Sequence, residues 1–126
     1  MPARSAPPQE LLSPAPTDEG LAMAAPRLSA DEIAEQLSEL AGWSLADDAL
    51  HARHDAPDVP TATRIVTDVF RVAEQMNHHP DADIRWKRVR WRLTTHDSGG
   101  VTGLDVDLAR RISAIAAEAG ATPMAP

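Results

Sequence analysis

Three histidines and two carboxylates lie close together in this chain: Glu74, His78 and His79 in one run, then His96 and Asp105. Imidazole titrates near neutral pH, so it can give and take protons at working pH, and a neighbouring carboxylate can fix its tautomer. Two other chemistries use the same residue types. Histidine is the commonest metal ligand, although adjacent histidines in an extended loop project in different directions and the chain has no cysteine to complete a site. His78 and His79 could also simply cap a helix C-terminus and interact with its dipole. With no cysteine and no glycine-flanked serine, nothing marks a covalent nucleophile. A proton-transfer reaction needing no cofactor, such as a dehydration or an isomerisation, fits the set best.

The elements that must position these residues follow from periodicity. Ser29 and Glu32 have the form of a capping box, and Ile33, Leu37 and Leu40 continue at helical spacing to a stop at Gly42, predicting a helix over 30–41. Trp43 and Leu45 alternate with polar residues, Asp47-Asp48 reads as a turn, and 49–54 as a partner strand. Pro57 and Pro60 open a second helix near Thr61. Its inner face is Ile65, Val69, Ala73 and Met76, widened by Ala62, Val66 and Phe70, and it ends at Asn77. From Ile84 to Thr95, apolar Val89, Trp91 and Leu93 alternate with Arg88, Arg90 and Arg92, with no Gly or Pro to say whether the run bends into a hairpin. Thr102 caps a third helix that carries Leu104, Leu108, Ile112 and Ile115 inward and stops at Gly120. Strands too short for parallel crossovers point to an antiparallel sheet with helices packed on one face, so the expectation is an α+β domain.

Composition sets the bounds. At 126 residues the chain is one domain in size, and 43% hydrophobic residues is too many for a disordered chain. Residues 1–27, rich in Pro and Ala, read as a disordered tail; 28–120 form the domain and 121–126 a C-terminal tail. The start of the chain lacks the apolar stretch of a secretory signal and no run is long enough for a membrane span, so the expectation is a cytoplasmic protein with no membrane association. A net charge of −7 argues against nucleic-acid binding, and the Arg88, Arg90, Arg92 stripe reads as a solvated outer face or an oligomer contact.

The spacing Glu74, three residues, His78-His79-Pro80, five residues, Trp86, nine residues, His96, eight residues, Asp105 resembles the signature of the pterin-4a-carbinolamine dehydratases. Leu28-Ser29, Gly42-Trp43, Val72-Ala73-Glu74, Thr94-Thr95-His96-Asp97, Gly99-Gly100 and 104–109 are also similar, so the resemblance covers roughly residues 28 to 119. It implies four antiparallel strands with three helices on one face, in the order α-β-β-α-β-β-α. It also implies dehydration of a 4a-hydroxytetrahydropterin to the quinonoid dihydropterin, with no cofactor or metal, in support of the aromatic amino acid hydroxylases. His78 and His96 match the acid–base pair and His79 a substrate-binding histidine that can share the proton work. Glu74 and Asp105 match supporting carboxylates, Asp105 by orienting His96, while Thr95 and Trp43 fall where substrate contacts are expected. A homodimer or homotetramer is implied. The same fold also serves non-catalytic relatives, as dimerisation cofactors of a transcription factor and as chaperones of Rubisco assembly. Two departures stand out: the phenylalanines usual between residues 54 and 63 are missing, and Ala82 replaces an aromatic residue after His-His-Pro.

Overall fold

A computed structural model describes residues 25–125; the expected disordered tail lies outside the described residues except for its last few positions. The order is helix α1 (Ala30–Leu37), strands β1 (Ser44–Ala46) and β2 (Ala49–Asp55), helix α2 (Val59–Met76), strands β3 (Asp81–Arg85) and β4 (Arg88–Leu93), a 3-10 turn (His96–Ser98), helix α3 (Gly103–Glu118) and strand β5 (Thr122–Pro123). The sheet runs β1-β2-β4-β3, antiparallel throughout. The two residues of β5 add a fifth strand beside the end of β2, so residues just past the expected boundary at 120 join the sheet.

The strands form where the alternation demands. Val89, Trp91 and Leu93 are buried beneath the helices, and Arg88 and Arg90 stand on the other face. Trp91 faces Ala52 on one neighbouring strand and Ala82 on the other. Two alanines opposite it leave room for the indole. The 84–95 run does bend: β3 and β4 are a hairpin whose turn carries Trp86 at φ 59°. A left-handed tryptophan is rare, which is why no turn signal showed there. Asp47 and Asp48 both take positive φ, the twist a two-residue hairpin loop requires.

Helix α2 starts at Asp58, whose carboxylate accepts from Thr61 N–H at 2.8 Å. That hydrogen bonding, with help from Arg64, holds the Asp58 pKa below the usual carboxylate value. Helices α2 and α3 pack on each other, and α1 adds Ile33 to the same core. Three expectations need correction. The first helix stops at Leu37, with Leu40 still buried in the turn that follows. Phe70 and Leu104 are exposed rather than inward. In the first turn of α3 the inward position belongs to Asp105, which starts the buried stripe continued by Leu108, Ala109 and Ile112. Among the described residues no helix is long and apolar enough to cross a membrane.

One buried polar pair gives a pH prediction. His54 is 2% exposed, and its Nδ1 accepts from Trp91 Nε1–H at 3.1 Å. Burial holds its pKa below the ordinary 6.5. The unfolded chain therefore takes up the proton more readily, so this stability is complete above 6.5 and is lost as pH falls below it toward the folded value. A His54→Gln variant keeps an acceptor for Trp91 but cannot titrate. Its urea midpoint should fall less than the wild type's between about pH 7 and about pH 5.5. Equal falls in the two proteins would remove His54 from the account.

Candidate active site

Helix α2 delivers the paired histidines through the way it ends. Asn77 turns left-handed (φ 52°, ψ 42°), His78 N–H donates back to Ala73 C=O at 3.0 Å, and Asn77 N–H to Glu74 C=O at 3.2 Å. This is a Schellman closure, with asparagine in the place glycine usually takes. It swings His78 off the helix axis toward the start of α3. There His78 Nε2–H donates to Asp105 Oδ1 at 2.6 Å, with the imidazole side chain 10% exposed and the carboxylate fully buried.

Asp105 is satisfied on its other oxygen too. Oδ2 accepts from Thr95 Oγ1–H at 2.7 Å and from Thr102 N–H at 2.9 Å. The Thr102 hydroxyl donates to Thr95 Oγ1 at 2.8 Å and accepts from Leu104 N–H at 3.2 Å. Asp105 and Thr102 thereby form the capping box of α3. One carboxylate caps the helix and fixes His78 in the Nε2–H tautomer, which leaves Nδ1 as the ring's lone-pair nitrogen.

The expected partnership of Asp105 with His96 is therefore corrected: the imidazole on Asp105 is His78. Strand alternation explains it. Thr95 continues the inward series of Val89, Trp91 and Leu93, so Thr95 meets Asp105 and His96 points away. His96 lies exposed at the start of the 3-10 turn, whose ends are tied by Thr95 N–H to Gly100 C=O at 3.0 Å. His79 is open to solvent and donates from Nε2 to Glu74 Oε1 at 2.8 Å, an exposed pair that orders the ring more than it stabilises the fold.

All three histidines line one open pocket of about 270 Å³, with Asn77, Thr94, Thr95 and Asp97 completing the wall. The structure thus gathers His78, His79, His96 and Thr95 around one space, with Asp105 behind His78 and Glu74 beside His79. Trp43 is not there. It is buried, its Nε1–H donates to Ser113 Oγ at 2.7 Å on the third turn of α3, and it serves the core. Thr102 does more than cap α3: the Thr-x-x-Asp spacing of its capping box is also what locates the His78 anchor. Among the described residues no group of three His, Asp or Glu side chains is arranged to hold a metal ion.

The sequence matches the family model described as pterin 4 alpha carbinolamine dehydratase over residues 26–115. A Roseiflexus protein, provisionally named a pterin-4-alpha-carbinolamine dehydratase, is 45% identical over 91 residues, covering 72% of this chain and 98% of its own. A protein of the same provisional name from Chloroflexus aurantiacus is 48% identical over 90 residues, covering 71% and 97%. The crystal structure of a transcriptional coactivator/pterin dehydratase from Brucella melitensis superposes with a TM-score of 0.69 at 36% identity, covering 71% of this chain and 98% of that one.

Proposed function

The chain belongs to the pterin 4 alpha carbinolamine dehydratase family, and from that premise we propose that it removes water from a 4a-hydroxytetrahydropterin by histidine acid–base catalysis. The observation that supports this most is the buried Asp105–His78 pair opening on the same pocket as His79 and His96. Held with Nε2–H toward Asp105, His78 offers Nδ1 as the base for the proton on the pterin ring nitrogen N5. The N–H electron pair becomes the N5=C4a double bond, the C4a–O bond breaks, and His96 supplies the proton that lets the hydroxyl leave as water. His79 binds the substrate, Glu74 orders His79, and Thr95 keeps Asp105 in place. Two imidazoles suffice for the two proton transfers, with no metal or organic cofactor in the scheme. The product is the quinonoid dihydropterin, so the reading places the protein in the cytoplasm, in tetrahydropterin recycling beside an aromatic amino acid hydroxylase. Exposed Phe70 on α2 and the free edge of β3 support assembly into a homodimer or homotetramer.

The test is stopped-flow dehydration of freshly made 4a-hydroxytetrahydropterin. Acceleration that persists in chelator is expected. Loss of rate with chelator, restored by zinc, would overturn the metal-free scheme. The coactivator half of the Brucella protein's description favours a second reading, a non-catalytic dimerisation cofactor or assembly chaperone on this fold. A folded protein giving no rate acceleration in that assay would select it.

A further inference from the structure

The helix-free face of the sheet carries charge that the histidine pocket does not use. Strand β4 sends Arg88, Arg90 and Arg92 to it, and each carboxylate on the same face lies within ion-pair distance of a cation other than Arg53 or Arg90. Asp81 pairs with Arg92 at 3.4 Å, Asp83 with Arg85 at 3.3 Å, and Asp55 with Lys87 at 3.5 Å and Arg88 at 3.8 Å. That leaves Arg53 and Arg90, which stand directly opposite each other across β2 and β4. Among the described residues neither forms an ion pair, and the guanidinium of Arg53 donates only to Ala125 C=O, at 2.6 Å. Like charges directly opposite on a sheet disfavour the pairing; Asp83, across from Arg90 on β3, offsets this on one side only, so an anion placed between the two arginines would relieve what remains.

The surface is hollowed at that point. A cavity of about 260 Å³ extends toward Ser44 and His51, another of about 340 Å³ extends toward Trp86 with Asp83 on its wall beside Arg85 and Arg88, and Arg53 and Arg90 line both. Trp86 is 67% exposed and has Lys87 Nζ 5.0 Å from its ring centroid. It belongs to the sequence signature, yet the five residues of β3, roughly 16 Å of extended chain, separate it from Pro80 and the histidines.

We propose that this trough binds a small molecule bearing a phosphate group and a flat ring, the phosphate held between Arg53 and Arg90 and the ring laid on Trp86. Two guanidinium forks match the oxygens of a phosphate, and an exposed indole offers a face for stacking. The same arrangement disfavours a nucleic-acid strand. Asp55, Asp81 and Asp83 interrupt the basic surface on either side of the pair, and the chain as a whole carries −7.

Calorimetric titration of the full chain with AMP, inorganic phosphate and adenosine tests it, at low salt, with Trp86 fluorescence as a second readout because Trp43 and Trp91 are buried. AMP should bind saturably, phosphate more weakly and adenosine least. Arg90→Gln and Arg53→Gln should each weaken AMP by about tenfold or more, the loss of one charged fork. Trp86→Leu should weaken AMP and leave phosphate unchanged. Dehydration rates should be the same in all three variants, so this site and the histidine pocket fail or stand separately. No saturable binding of AMP below about 10 mM would overturn the proposal. So would full AMP affinity in both arginine variants, or tighter binding of a single-stranded oligonucleotide that grows with its length.

Discussion

Asp105→Asn should cut turnover by roughly 10²–10⁴-fold while the protein stays folded. The reasoning is a matter of which atoms carry hydrogen. An asparagine can keep its oxygen toward Thr95 Oγ1–H and Thr102 N–H, because both donate to the same side of Asp105. Its amide NH₂ must then face His78 Nε2, which has to accept instead of donate. The imidazole proton moves to Nδ1, and the lone pair proposed to take the N5 proton is gone. Stability should drop by about 1–3 kcal/mol, since hydrogen bonds to a charged acceptor become bonds to a neutral one. Leu108→Ala, one turn further along α3 and fully buried, should cost about 2–5 kcal/mol and leave the turnover of its folded fraction near normal. Initial rates corrected for folded fraction, urea midpoints and the ¹⁵N shifts of the His78 ring settle the matter. Normal turnover in Asp105→Asn would reduce Asp105 to a helix cap.

The largest loss of stability is expected at Trp91. It is fully buried, flanked cross-strand by Ala52 and Ala82, and donates to His54. Neither alanine can grow into the space an absent indole would leave, so Trp91→Ala should cost about 3–5 kcal/mol. For a domain of this size that is a large share of a total near 5–15 kcal/mol. Trp91→Phe isolates the polar part: much of the ring volume stays, but buried His54 loses its donor, at about 1–3 kcal/mol. Urea unfolding of both variants gives the ranking. If Trp91→Phe is as damaging as Trp91→Ala, the hydrogen bond outweighs the packing.

Much of this was legible beforehand, for identifiable reasons. Period-two burial marks β4 plainly, because one face of it is all arginine and the other all apolar. The helix cap at Ser29 was readable because a capping box has a fixed spacing, and that at Thr102 because a threonine precedes an apolar helical run. Four things were not. The Trp86 turn has no turn residue in it. The two-residue β5 has no pattern long enough to read, since it is ordered by its neighbour β2. The partner of Asp105 was misassigned to His96 because the resemblance names which residues share a site but not which touch. The alternation that turns Thr95 inward was already visible and would have corrected it. Trp43 failed likewise: its sequence neighbourhood matches the family, but its indole is held against Ser113 in the core.

The double duty of Asp105 bears on how such a protein changes over evolutionary time. Catalytic groups are ordinarily liabilities that a lineage sheds once the reaction no longer matters, because replacing them often improves stability. Asp105 is different, since the oxygen that seats Thr102 N–H starts α3 whether or not any pterin is turned over. A descendant that kept the fold for binding alone would be free to lose His78 or His96 and would still be selected to retain the aspartate. In an alignment, then, this aspartate should outlive the histidines, and its presence should be a poor marker of which relatives are still enzymes.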